Sequence, residues 1–300
     1  MIPKVRTSVR TFAVYRRKIM ESGSKRVLPF VHTILAGLLV FLVFSHMRPI
    51  FSGTADVVSR LILAGAFLSL SLVSNGRRNQ NADKGLSMSF FIAMTAISLD
   101  LYLPTSRWIV KAVGTDYTTP MGLALDKLDS SLIIILTIII LNRLSGGSSK
   151  DLRLQEGNLK RGISIGIPSF AAAAILSPYM AGIFGAQGFT FTEVLEWLPW
   201  IIIFIAGNAL NEELLFRGLF LGRMEPLMGR NLSNLAVAIP FVLHHTGVTY
   251  TTDSLMFLAY LLPLALVWGR LTQDNDSLIG SVLFHAGTDI TVALALFSSL

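Results

Sequence analysis

The chain has 300 residues, 52% of them hydrophobic and only 14% charged, with a formal net charge of +7 and no cysteine. A soluble domain of this length cannot cover so much apolar surface, so the composition excludes an ordinary globular enzyme and points to a membrane protein. The lack of cysteine excludes disulfides and thiolate metal sites.

The first 26 residues carry eight basic side chains, from Lys4 to Arg26. A basic arm beside a spanning helix is a topology signal and a surface for anionic lipid, and no nucleic-acid partner is expected. The first apolar run begins late, is long enough to span and lacks a small-residue cleavage pattern, so no cleavable signal is expected. A span needs about 20 mostly apolar residues. Nine segments qualify: 27–46, 59–74, 86–104, 128–144, 163–185, 197–222, 232–249, 254–269 and 278–299, of which the second and fourth are short. Polar punctuation separates them at 74–85, 143–162, 222–231 and 269–277, and no internal repeat is evident. The expected fold is all-α: a multi-pass protein of the cell membrane with about eight to nine transmembrane helices. Its parts would be a basic cytoplasmic arm (1–26), a four-helix membrane extension (27–150) and a core (155–300).

Basic residues set the orientation. With the N-terminus in the cytoplasm, 19 of the 25 lysines and arginines fall on inside segments, five fall outside, and Arg217 lies within a span. That bias supports a cytoplasmic N-terminus and, with nine spans, a C-terminus on the other side.

Charges inside a span are costly and are expected to be paired or functional. Asp100 lies near the end of its span, where it is expected to reach the headgroups. Asp126 and Asp129 flank a helix start, where carboxylates favour the dipole. His32 and His46 read as interfacial residues, and Gly162 with Gly166 permits close helix packing.

Three clusters remain. In "GNALNEELLFRGLF" (207–220), Glu213 and Arg217 are four residues apart on a helix and can neutralise each other. Glu212 points roughly 100° away, with Asn208 one turn before it on the same face. "FVLHH" (241–245) offers His244 or His245, and "HAGTD" (285–289) places His285 and Asp289 on one helix face. Carboxylate, imidazole and water are the parts of general acid–base hydrolysis. A helix rises about 1.5 Å per residue, so Glu212 lies roughly 16 Å from Arg223 and His285 roughly 14 Å from Asp276. His245 lies about 22 Å from Arg230 on the same count. The groups can therefore converge below the cytoplasmic surface, with substrate expected from that side.

Glu-Glu-x-x-x-Arg at 212–217, Phe-x-x-x-His at 241–245 and His-x-x-x-Asp at 285–289, in this order, resemble the CAAX protease and bacteriocin-processing family. Its members are intramembrane glutamic-type endopeptidases related to the Ras-converting CAAX endopeptidases. The resemblance covers about 155–300. It implies that Glu212 and His245 activate a water, that His285 and Asp289 stabilise the oxyanion, and that Glu213 and Arg217 orient the site; Asn208, on the face of Glu212, is expected to orient it too. It implies no metal and no cofactor. The partners would be the lipid bilayer and a peptide or protein substrate: a C-terminal tail, a leader or a sorting signal. Asp289 stands where Asn is common, and an ionised Asp cannot donate to an oxyanion; it could instead orient His285. Three alternatives stay open. One is zinc held by Glu and two His, although no His-Glu-x-x-His helix is present. Another is a silent relative acting as a scaffold, partner-binding or bacteriocin-immunity protein. The third is a proton-relay transporter, which predicts inverted repeats that the sequence lacks.

Overall fold

The computed structural model describes residues 26–45, 47, 49–73, 80–103 and 107–300, the side chains of 80–84 excepted. Residues 1–25 of the basic arm and His46 lie outside the described residues. Among the described residues all regular structure is helical. The helices are α1 (Arg26–Val43), α2 (Gly53–Val73), α3 (Gln80–Tyr102), α4 (Trp108–Val113), α5 (Pro120–Leu144) and α6 (Leu159–Ile183). There follow α7 (Phe191–Met228), α8 (Arg230–His244), α9 (Ser254–Asn275) and α10 (Ile279–Phe297).

Each of the nine apolar segments falls on one of these helices. Among the described residues seven helices are long and apolar enough to cross a membrane: α1, α2, α3 from Gly85, α6, α7, α9 and α10. The other two differ for physical reasons. Helix α5 has the length, 25 residues, but runs back from the apolar stretch through Asp129, Lys127 and Asp126 to a start at Pro120. Helix α8 has 15 residues, or about 22 Å, short of a hydrocarbon core of about 30 Å. It ends at a tight 3-10 turn, His245–Gly247.

The helix starts follow local chemistry. Thr190 and Glu193 form a reciprocal capping box at the head of α7, which satisfies two otherwise orphaned N–H groups. Thr119 caps α5 above Pro120, and Asp253 caps α9. Helices α6 and α10 run side by side because glycine lets them. A Cβ on Gly287 would lie 2.7 Å from the Phe170 Cα, and one on Gly166 would meet Leu283 at 2.9 Å. Such close backbone approach is the usual use of small residues between membrane helices.

The first half of the chain buries its own polar layer, and here three expectations change. Asp100 is buried; it accepts from Arg107 (2.7 Å) and Ser130 (2.9 Å) rather than reaching outward. Asp129 sits in the third turn of α5, not at its start, and takes the backbone N–H groups of Ile109 and Val110. Its charge therefore serves the N-terminus of α4. Asp126 pairs with Arg107. Arg60, also buried, pairs with Asp56 at 2.6 Å and donates to the Phe44 carbonyl, while Tyr102 donates to Asp56. His32 is exposed.

Candidate active site

Helix α7 changes character where the carboxylates begin. It is α-helical to Glu212, then π-helical over Glu213–Gly218, then α-helical again. Single π turns inside α-helices cluster at functional sites, because the wider turn re-aims side chains. Behind Glu212 the helix is buried on every side: Glu213, Leu214, Arg217, Leu219 and Leu221 are each 0% exposed.

The structure brings Glu212, His245, His285 and Asp289 to one cavity of about 190 Å³, whose walls include Asn208, Phe241, Tyr250 and Trp268. Glu212 Oε2 is buried without a hydrogen-bond partner. It faces His285 Nε2 at 3.6 Å and His245 Nε2 at 3.9 Å. His245, and not His244, lines this cavity. Its Nδ1 lies 2.8 Å from the Phe241 carbonyl oxygen, an acceptor only, so Nδ1 carries the hydrogen and Nε2 presents a lone pair to the cavity. His244 turns away to the Phe41 carbonyl on α1, at 2.8 Å. The Phe-x-x-x-His spacing thus has a mechanical meaning: Phe241 supplies the carbonyl that fixes the tautomer of His245.

Glu213 and Arg217 pair at 3.0 Å, both fully buried. Arg217 also donates to the Ala265 carbonyl at 3.1 Å and lies over the rings of Phe241 and Trp268. The sequence did not reveal that Glu213 Oε1 also lies 2.9 Å from His285 Nδ1. Asp289 is expected to orient His285, yet Glu213 holds the hydrogen-bonded side. Asp289 Oδ1 stands 3.5 Å from Nε2, beside Glu212. Asn208 donates to Asp289 Oδ2 at 3.0 Å, so it positions that carboxylate rather than Glu212. Trp268 stacks on the His285 ring at 3.9 Å and 10°. No sequence signal announced that contact, because α9 carries none of the three motifs.

Tyr250, in the loop before α9, is a further polar group of the cavity wall. Burial, and after it the charges of Glu212 and Asp289, push its phenol well above the ordinary tyrosine value, so it remains a neutral donor. Among the described residues no group of three or more His, Asp or Glu is arranged to hold a metal ion. If Glu212 and His245 activate water without a metal, strong chelators are expected to leave peptide cleavage unchanged, and purified protein should contain far less than one equivalent of zinc by elemental analysis. Stoichiometric zinc that tracks activity through His245→Ala and His285→Ala would contradict this.

Residues 194–291 match the family model described as Type II CAAX prenyl endopeptidase Rce1-like. In that stretch the chain is similar to that family. The match agrees with the resemblance carried by the three motifs and supports a membrane endopeptidase kind of function. No curated protein and no solved structure matches the chain. The Rce1-like stretch holds Glu212, His245, His285 and Asp289 together with Asn208, Glu213, Arg217 and Trp268. It does not complete the cavity. Met47, Leu123, Asp126 and Lys127 line the same space from outside the match, so the first half of the chain is part of the site.

Proposed function

We propose that the protein is an intramembrane endopeptidase in which Glu212 and His245 activate water for attack on a peptide carbonyl. The observation that carries the reading is the buried, unpartnered Glu212 Oε2 facing two imidazole Nε2 atoms at 3.6 and 3.9 Å. A water placed about 2.8 Å from Glu212 Oε2 and from His245 Nε2 closes a triangle on the 3.9 Å separation. Both groups accept, so the water donates both hydrogens and turns an oxygen lone pair outward. As its oxygen bonds to the carbonyl carbon, one O–H proton passes to Glu212. The carbonyl electron pair moves to oxygen, forming the tetrahedral oxyanion. His285 in its doubly protonated form donates Nδ1–H to Glu213 and offers Nε2–H to that oxyanion. The C–N bond then breaks, and Glu212 returns its proton to the leaving amine.

Asp289 enters this scheme as the negative charge beside His285, positioned by Asn208. Asp289→Asn keeps an acceptor and adds an N–H donor, so kcat/KM is expected within about tenfold of wild type. A loss as deep as that of a Glu212 variant would give Asp289 a proton-transfer role instead. The general test is purified protein in liposomes with a mixed peptide panel, reading new amino termini by mass spectrometry beside Glu212→Ala. Absence of any product that depends on Glu212 would leave the scaffold reading in its place.

A further inference from the structure

The two ends of the helix bundle differ in charge, and the cavity belongs to only one of them. At the basic end α6 and α8 begin and α9 stops. Asp274 there receives Arg230 (2.5 Å), Arg161 (3.1 Å) and Arg270 (3.2 Å), while Arg153 of the same layer pairs with Glu225 and Asp276. At the opposite end α2, α5, α7 and α9 begin and α3, α6 and α10 finish. The two arginines described there, Arg60 and Arg107, are committed to aspartates.

The cavity walls show which end the site serves. On α5 they include only residues of its first two turns, Leu123, Asp126 and Lys127; on α6 only its C-terminal cap, Phe184; on α10 residues 285 to 296 and nothing before His285. Tyr250 completes the rim from the loop before α9. In the other direction the way is sealed. Below Glu212, α7 is buried through Leu221, with no side chain from Leu214 to Leu221 that is both large and more than 5% exposed. The cavity thus runs from a floor at Glu212 and Trp268 to the end away from the arginines.

Helix α1 starts at this end, where a Cβ on Gly229, just before α8, would lie 3.5 Å from Arg26; by sequence, the segments assigned to this side hold 19 of the 25 lysines and arginines, a bias that places it in the cytoplasm. We infer that the catalytic cavity opens to the non-cytoplasmic side and takes peptides presented there, such as a segment of a secreted or membrane-anchored protein. The substrate part of this inference rests on the peptidase reading; the sidedness does not. It reverses the expectation of cytoplasmic approach. Distances counted along a helix give depth, and they carry no information on which side of Glu212 is filled with side chains.

The chain has no cysteine, so single cysteines report sidedness directly. Tyr117→Cys tests the loop at the rim end, Leu123→Cys and Leu296→Cys test the cavity wall near its mouth, and Lys160→Cys tests the basic end. Each is exposed to a membrane-impermeant charged thiol reagent in intact cells and after permeabilisation. The expected result is labelling of Tyr117→Cys and at least one mouth position in intact cells, with Lys160→Cys labelled only after permeabilisation. Labelling of Lys160→Cys in intact cells would overturn the inference. So would mouth positions that react only after permeabilisation, or in neither state. The readout needs no turnover. The expected pattern without Glu212-dependent cleavage in detergent removes the peptidase reading and keeps the sidedness; cleavage with the reversed pattern does the opposite.

Discussion

Glu212→Gln is expected to lower kcat by about 10²–10⁴-fold, with unchanged yield of folded protein. The amide has nearly the shape of the carboxylate, so the cavity keeps its walls. What it loses is a site to take the water proton and return it to the leaving amine. Folding should barely register the change, because Glu212 Oε2 has no hydrogen-bond partner to lose. Its two histidine neighbours, at 3.6 and 3.9 Å, are beyond direct bonding distance. KM should move less than kcat, since the lost interaction is one made in the transition state. The measurement is steady-state cleavage of a peptide identified in the liposome panel, beside size-exclusion profiles of both proteins. Wild-type turnover by Glu212→Gln would remove the proposed mechanism.

Much of the fold was legible because membrane helices announce themselves by length and apolarity. Each of the nine apolar segments carries a helix among the described residues, and the pairing of Glu213 with Arg217 follows from their spacing. The misreadings share a cause. Distance from a helix end puts Asp100 near the headgroups and Asp126 and Asp129 at a helix start, but each is held by a partner on another element: Arg107, Ser130 or the backbone of α4. One sequence cannot show contacts between helices. The same limit hid Glu213 on His285, Trp268 stacked against it, and the contribution of α5 to the cavity. The three motifs were visible as patterns, yet the reason for one of them, the Phe241 carbonyl fixing His245, appears only when the end of α8 is seen.

Arg217→Ala is expected to cost stability rather than chemistry, by roughly 3–5 kcal/mol. Arg217 is 0% exposed and serves three neighbours at once: Glu213 at 3.0 Å, the Ala265 carbonyl at 3.1 Å and the face of Phe241 with its ring centre 4.4 Å away. Truncation leaves Glu213 a buried carboxylate whose remaining partner is His285, and it opens a void between α7 and α9 in the tightly filled floor of the site. Arg217→Lys keeps the charge but lacks the planar fork that reaches Glu213 and the carbonyl together, so it should fall between wild type and Ala. Thermal unfolding in detergent and the monodisperse fraction after extraction measure both variants. Adding Glu213→Gln to Arg217→Ala removes the stranded charge and keeps an acceptor for His285 Nδ1. The double variant should therefore recover part of the loss, as residues sharing one buried pair do not contribute additively. An Arg217→Ala protein with wild-type thermal stability would mean that the ion pair is not what holds the floor. A double variant no more stable than Arg217→Ala would place the cost in the void instead of the charge.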